Sequence, residues 1–537
     1  MTVWDDVERG LSRDPATELN TAQEACGRWS DAPDRLALVV RHSDGSRERW
    51  THAELYRAAA RAAGVFARAG LRRGDRVAGL LGRQVESWIV ALAAWRSGLV
   101  YVPLFGGLGT DALAYRLRTS GTRLLVVDHT RRRAAAAALA VADHDPVVLA
   151  VAARDGSGIA QGDTDFRAAC DGADDGPDRR TSAADLATLL FTSGTTGEPK
   201  ACTMPHSALL SVLRFARHSL GAGPRSTVFT AADPGWAYGL YSTGAAPMAL
   251  GSPRVLYSGD FDPQAWWRIV REESVSCLAA APSAYRRLLE PLREHGAPPA
   301  LEIAAAAGEP LDAGTAIGWR DAGGPAVRDG YGLTEVGMVL ADLAGGTPPE
   351  PGTLGGPVPG FDVLLVDPAG EPVEPGADGL IAVRRPRHQL SDGYENKADA
   401  WSANWHGDLF ITGDRAAPAA GGRWRFLGRG DDMIVASGYN IGPVEVERVL
   451  ADHPAVREAA AVAGTGPGGS TVVRAVLVPE SGRPTGEVLE RELADAVRRR
   501  IGAHARPRLF TYVDALPRNE VGKLQRARLR AEGDPDV

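Results

Sequence analysis

Lysine is nearly missing from this chain. Its 537 residues include 60 Lys and Arg together, of which only Lys200, Lys397 and Lys523 are lysine and 57 are arginine. A chain with that bias gives up lysine wherever the exchange is harmless. A lysine that remains marks a place where a compact ammonium on a thin stem differs from a planar guanidinium fork. That reading applies to Lys200 and Lys523, which fall in two glycine-containing segments; Lys397 reads as a survivor by chance. Cysteine is scarce too. Cys26, Cys170, Cys202 and Cys277 are scattered without metal or redox spacing, so a reduced interior is expected. An excess of positive charge is absent: the net charge is −7, which gives no reason to expect nucleic acid or an anionic membrane as partner. No apolar run approaches the ~18 residues needed to cross a bilayer. The start, MTVWDDVERG, is acidic and lacks an apolar signal core. The expectation is a soluble cytoplasmic protein.

What is present is an ordinary globular composition over a length that allows several domains. Helical and extended patterns alternate from the beginning. Helices are expected at 56–69, 85–98 and 131–142, and strands at 76–81, 100–104, 124–128, 186–190, 228–232, 276–280 and 301–306. Such alternation argues for α/β architecture with a parallel sheet. Residues 163–185 are polar and rich in Asp, Gly and Ala, and read as a mobile surface connection. From 355 to 383, short strands alternate with Pro/Gly turns, a small β-barrel or twisted-sheet pattern. There is no internal repeat. Residues 433–537 form a small unit with strands near 459–463, 472–478 and 509–513 around a helix at 488–501.

The most distinctive stretch is 191–200, FTSGTTGEPK. Thr192, Ser193, Gly194, Thr195, Thr196 and Gly197 make a hydroxyl- and glycine-dense loop after an apolar strand, closed by Lys200. Glycines let such a loop bring backbone N–H groups close to a ligand, and the hydroxyls and lysine can reach phosphate oxygens. It is not the P-loop of nucleotide triphosphatases, because the glycines are closer and no Ser or Thr follows the lysine. On residue types alone, a flexible strand-to-helix turn is the better reading of such a loop. Three further loops follow strands: Trp236 and Tyr238 in DPGWAYG, the run APSAY at 281–285, and Gly308-Glu309-Pro310. Open α/β sheets place ligands at the carboxyl ends of strands. Then comes Asp329-Gly330-Tyr331-Gly332-Leu333-Thr334-Glu335. Its tyrosine ring is suited to stack or pack beside a base, and its carboxylate is a hard oxygen ligand for Mg²⁺.

Together the loop at 191–200, the YGLTE motif, GYEN at 393–396, Asp414, LGRGDD at 427–432 and PRNEVGK at 517–523 resemble the motifs of the adenylate-forming enzymes, in that family's order. These are the acyl-CoA synthetases, peptide-synthetase adenylation domains and luciferases. The resemblance covers residues 30 to 530. It implies a large N-terminal domain, 1–428, of two stacked α/β subdomains plus a small β-barrel. A hinge at 429–432 about Asp431 would join it to a mobile α+β C-terminal domain, 433–537. It further implies that Asp414 and Arg429 hold the ribose, Thr334 the α-phosphate and Glu335 the Mg²⁺. Gly308, Glu309, Pro310, Asp329, Gly330, Tyr331 and Gly332 would border the nucleotide. Trp236, Tyr238 and Gly332 would line the acyl pocket, and Ser437, Gly438 and Tyr439 would face CoA. Lys523 is the implied catalytic lysine.

The chain departs from the pattern at Leu333, where the family usually has Gln, and at Asn440, where many relatives have Arg. Asn at that place resembles the benzoate- and aminobenzoate-CoA ligase branch. Acetate-specific relatives carry Trp at the position of Gly332, so glycine there implies a larger acyl or aryl group. The implied reaction has two halves. A carboxylic acid and MgATP give acyl-AMP and pyrophosphate, and a thiol then displaces AMP. The acceptor is CoA, or a carrier-protein phosphopantetheine in a rival reading. Activation of an unusual oxyacid, or a non-catalytic ATP-binding homologue, are further rivals. A homodimer would be ordinary for the family.

Overall fold

The computed structural model describes residues 3–192, 199–230, 232–309, 311–436, 439–466, 471–501, 503–518, 522 and 524–531. Two large sheets dominate. One runs in the order Gly356–Pro357, Gly337–Ala341, Val327–Leu333, Ile303–Ala307, Cys277–Ala280, Val228–Thr230, Arg254–Tyr257, Leu36–Arg41, Arg47–Thr51. From Val327–Leu333 to Leu36–Arg41 its strands are parallel. The sequence explains this: strands such as Ile303–Ala307, all Ile and Ala, are buried along their whole length, as strands covered on both faces must be. Parallel pairing puts the loops after Val228–Thr230, Cys277–Ala280 and Ile303–Ala307 on one edge.

The second sheet runs Gly393–Tyr394, Lys200–Pro205, Leu186–Thr192, Val100–Leu104, Arg76–Leu80, Thr122–Asp128, Val147–Val151, Thr164–Asp165. The helix Val85–Arg96 is buried on every side, the behaviour expected of a helix apolar all round. Its Trp88 and Trp95 share one core cluster with Leu38 and Val40 of the first sheet and Val77 and Tyr101 of the second. Helix starts follow the sequence closely. Thr51 and Glu54 form a reciprocal capping box for His52–Arg68, and Asp262 caps Pro263–Glu272.

The expected small barrel is a half-barrel. Val363–Val366, Gly379–Arg384, Leu409–Pro418 and Trp405–His406 pair in that order, with Trp424–Arg429 against Leu409–Pro418. Beyond it lie the short hairpin Ile434–Ala436/Tyr439–Ile441 and a three-stranded sheet, Val456–Thr465, Thr471–Pro479 and Leu509–Tyr512. Helices Pro443–Ala451 and Glu487–Arg500 share its core.

The stretch 163–185 is not the mobile connection expected. It forms the edge strand Thr164–Asp165 and the helix Phe166–Asp171, with Phe166 buried in the core. Gly176 lies so close to Ala63 and Gly64 that a Cβ would stand 2.2 Å from their backbone, and its N–H donates to Ala60 at 2.8 Å. Packing through backbone leaves no apolar signature. No described helix is long and apolar enough to cross a membrane.

Candidate active site

The loop at 191–200 joins two antiparallel strands, Leu186–Thr192 and Lys200–Pro205, with Thr192 opposite Lys200. It is the tip of a hairpin and not a strand-to-helix turn. A third strand, Gly393–Tyr394, pairs with the lysine-bearing strand, setting Tyr394 opposite Cys202. The Tyr394 ring then faces Lys200, whose ammonium stands 4.9 Å from the ring centroid. The Tyr394 hydroxyl donates to Glu335 Oε1 at 2.8 Å. Glu335 follows the strand Val327–Leu333 in the tight connection to Gly337–Ala341, and Thr334 beside it is half-buried. The expected phosphate-side lysine and metal-side carboxylate are thereby brought to two sides of one ring.

A second group lies where the half-barrel meets the first sheet. The Tyr331 hydroxyl donates to Asp414 Oδ2 at 2.6 Å, and Arg429 Nη1 stands 3.6 Å from Asp414 Oδ1. Burial, then the Asp414 charge, pushes the Tyr331 phenol well above its ordinary pKa, so it stays a donor. Its ring packs beside Phe426, 6.2 Å between centroids. Asp414 and Arg429 face each other across the pairing of Leu409–Pro418 with Trp424–Arg429, which explains how residues so far apart in sequence meet.

The third group is the adjoining edge of the first sheet. Gly308 ends the strand Ile303–Ala307 with φ +98°, a conformation that favours glycine, and nothing lies within 4 Å of where its Cβ would be. Glu309 Oε1 accepts from the Ser283 N–H at 2.8 Å, so this carboxylate caps the helix Pro282–His295. Gly330 lies opposite Ala307. Asp329 is buried; Oδ2 accepts from the Leu311 N–H at 3.2 Å, and Oδ1 has no partner among the described residues. Burial raises its pKa to about 8, against the opposing pull of the Leu311 and Gly330 N–H groups and the Arg448 charge.

Trp236 and Tyr238 follow the strand Val228–Thr230, at the start of a π-helical turn, Tyr238–Ala245. Such turns often mark functional sites. Trp236 packs on Phe105 at 5.3 Å and Tyr238 on Phe215 at 6.2 Å. The Tyr238 hydroxyl is buried without a partner among the described residues. Gly332 has a second reason to be glycine. A Cβ there would stand 2.2 Å from the Gly337 carbonyl oxygen, inside the hairpin, so the close approach of two strands excludes a side chain before any ligand does.

Ser193, Gly194, Thr195, Thr196, Gly197, Pro310, Ser437, Gly438 and Lys523 lie outside the described residues, as do the side chains of Asp431 and Tyr439.

The family model of AMP-binding enzymes matches residues 27–395, and that of the AMP-binding enzyme C-terminal domain matches 445–523. The chain belongs to the AMP-binding enzyme family. It is 32% identical to a mitochondrial acyl-coenzyme A synthetase of Rattus norvegicus, covering 95% of this chain and 89% of the relative. An acyl-CoA synthetase crystal structure from Brucella canis is 34% identical with a TM-score of 0.77, covering 98% and 97%. A benzoate CoA ligase from Burkholderia xenovorans LB400 is 27% identical with a TM-score of 0.83, covering 95% and 99%.

In this AMP-binding enzyme the structure adds residues that the motifs did not single out. Tyr394 was visible only as part of a turn. Arg526 reaches Glu447 by Nε at 3.1 Å and by Nη2 at 2.7 and 2.9 Å, and Asp432 by Nη1 at 3.5 Å; Arg530 adds a bond to Asp432 at 3.0 Å. Arg518 bonds Glu458 at 2.6 Å and the Gly522 carbonyl at 2.8 Å. The described residues on either side of Lys523 are thus tied to the body of the C-terminal region. Lys397 is not a bystander either: its Nζ donates to Tyr115 Oη at 3.3 Å, and Tyr115 donates to the Pro199 carbonyl at 3.1 Å.

Proposed function

We propose that the chain activates a carboxylic acid with ATP, releasing pyrophosphate and forming acyl-AMP, and then transfers the acyl group to CoA as a thioester. The observation that carries this is the meeting of Lys200 and Glu335 at Tyr394, on the hairpin whose tip is the loop 193–198. The first half-reaction must bring two anions together, so positioning and charge neutralisation do the chemistry. The 192–197 loop and Lys200 take the phosphates that leave. Thr334 holds the α-phosphate. The described residues contain no cluster of three or more metal-ligating side chains. A lone carboxylate fits Mg²⁺, which takes one or two carboxylates when phosphates supply the other oxygens. Glu335 would hold it, and bound there the ion neutralises phosphate charge.

Tyr331, Asp414 and Arg429 form the ribose and base side, with Asp329, Gly330 and the Gly308-Glu309-Pro310 turn along the adenine. The acid lies by Trp236 and Tyr238, and an aryl or medium-chain acyl group fits this reading better than acetate. Lys523 bridges the attacking carboxylate oxygen and the α-phosphate, where charge shifts in the transition state. Rotation about Asp431, between units 1–428 and 433–537, withdraws Lys523 and brings Ser437, Gly438 and Tyr439 to the pantetheine.

Lys523→Ala tests the assignment. Acid-dependent pyrophosphate release is expected to fall roughly 10²–10³-fold, the scale for losing one oriented charge donor. Thioester formation from supplied acyl-AMP and CoA is expected to survive. Equal loss of both halves overturns the role. A panel of benzoates, cinnamate, fatty acids, amino acids and nitrite, each with and without CoA, identifies the acid; turnover without any CoA requirement points to a carrier protein or to an oxyacid.

A further inference from the structure

Tyr394 has its backbone fixed by the strand that begins at Lys200. Gly393 lies opposite Thr203, Tyr394 opposite Cys202, and the Glu395 N–H donates to Ala201 at 2.8 Å. The side chain is buried, and the Asn404 amide also hydrogen-bonds its hydroxyl. Its hydroxyl donates to Glu335 Oε1 at 2.8 Å, its face carries the Lys200 ammonium at 4.9 Å, and Trp401 packs against it edge-on at 5.1 Å.

Lys200 and Glu335 form no ion pair among the described residues, although both contact the same ring. An ammonium and a carboxylate that reach the same tyrosine attract each other, and collapse into a direct pair would use up both charges. The ring gives the ammonium an alternative seat through its quadrupole, and the hydroxyl fixes the carboxylate. We infer that Tyr394 is a positioning residue. It holds the cation and the anion of the phosphate site apart, so that Glu335 meets a metal ion and Lys200 meets phosphate without first breaking their mutual pair. This rests on the reading of Glu335 and Lys200 given under Proposed function.

The test is direct Mn²⁺ binding, followed by electron paramagnetic resonance with a non-hydrolysable ATP analogue, in wild type, Tyr394→Phe, Tyr394→Ala and Glu335→Gln. Tyr394→Phe keeps the ring and removes one hydrogen bond to a charged group, so the Mn²⁺ dissociation constant is expected to rise about tenfold. Affinity for a metal-free acyl-sulfamoyl adenosine is expected to stay at the wild-type value. Tyr394→Ala removes the spacer as well and is expected to weaken the ATP analogue further. Unchanged Mn²⁺ binding in Tyr394→Phe, with binding lost in Glu335→Gln, overturns the role of Tyr394 alone. Equal weakening of Mn²⁺ and of the sulfamoyl adenosine overturns it too, as a general structural defect. Unchanged binding in Glu335→Gln overturns the metal assignment itself, whatever Tyr394 does.

Discussion

Arg526 offers a sharp perturbation because it ties the end of the chain both to a helix of the C-terminal unit and to the proposed hinge. Its guanidinium spans Glu447, on the helix Pro443–Ala451, and Asp432, the neighbour of Asp431, and it lies three residues after Lys523. Side-chain exposure is 15% for Arg526, 14% for Glu447 and 13% for Asp432, so these charges are largely out of water. Burial works to lower the Arg526 pKa, and the two carboxylates more than offset it. Removing one partner of such a buried pair costs about 3–5 kcal/mol, mainly through the stranded charge. Two contacts reduce that here. Glu447 still accepts from the Ala461 N–H at 2.9 Å, and Asp432 keeps Arg530 at 3.0 Å. Arg526→Met is therefore expected to destabilise the C-terminal unit by roughly 2–3 kcal/mol. Urea unfolding measures it. Adenylation is expected to fall about tenfold or more, since small misplacements of a catalytic group are costly, while thioester formation from supplied acyl-AMP holds. The pair Arg526→Met with Glu447→Leu separates the two effects. An apolar replacement of a buried ion pair is near neutral for stability, less the Ala461 N–H bond that Glu447 accepted, but it leaves the link to Asp432 broken, so folding recovers in part and adenylation does not. Wild-type stability in Arg526→Met, or equal loss of both half-reactions, would refute the reasoning.

Two further outcomes follow from the first sheet. Burial raises the Asp329 pKa to about 8 from its ordinary 3.8, so between those pH values the folded state holds the proton more tightly than the unfolded chain. Stability attributable to this group is full at low pH and is lost as pH rises through that window, with a slope of ~1.4 kcal/mol per pH unit. Asp329→Asn keeps the acceptor for Leu311 and removes the titration, so its stability relative to wild type should grow between pH 5 and pH 8 in thermal melts; a gap that does not change with pH rejects the buried neutral acid. Gly332→Ala forces a Cβ to 2.2 Å from the Gly337 carbonyl, and overpacking of this kind costs about 1–3 kcal/mol. It should lower the melting temperature while leaving acid chain-length preference in place, and a change in preference at full stability would restore the pocket-shaping reading.

The sequence exposed whatever depended on neighbours along the chain. Apolar runs such as Val100–Leu104 and Ile303–Ala307 are legible as buried strands, whereas the helix expected from 56 begins at His52, behind the Thr51/Glu54 capping box. Contacts across long separations are not legible. Glu335 meets Tyr394, 59 residues on, and Tyr331 meets Asp414 across 83. Motif order could imply that these belong to one site but not which atom bonds which. The segment 163–185 lies at the surface as expected, with residues 171–180 half-buried or exposed, but the backbone packing of Gly176 leaves no mark in its composition. Glu309 sits in an expected ligand turn yet spends one oxygen on capping the helix Pro282–His295, a use that only the neighbouring strand's loop reveals.

The lysines return as a physical argument. Lys200 stands on the Tyr394 ring and Lys397 bonds the Tyr115 hydroxyl at 3.3 Å, and Tyr115 in turn holds the Pro199 carbonyl, so both flank the same hairpin tip. A ring does not by itself require lysine. Arg35 stacks on Trp29 at 4.0 Å and Arg385 on Trp405 at 3.9 Å. Arginine also takes the fixed, forked partnerships: Arg132 on Asp163 through Nε and Nη2, and Arg423 on Asp342, Thr347 and Pro348. The difference lies in the donors. A guanidinium lying on a ring directs its N–H groups sideways in one plane, which suits a partner that never leaves. An ammonium on a ring keeps three donors that rotate freely about the stem, and can follow an oxygen that arrives and departs. Retention of lysine at 200, in a chain that uses arginine almost everywhere else, is what a phosphate that comes and goes at this hairpin would demand.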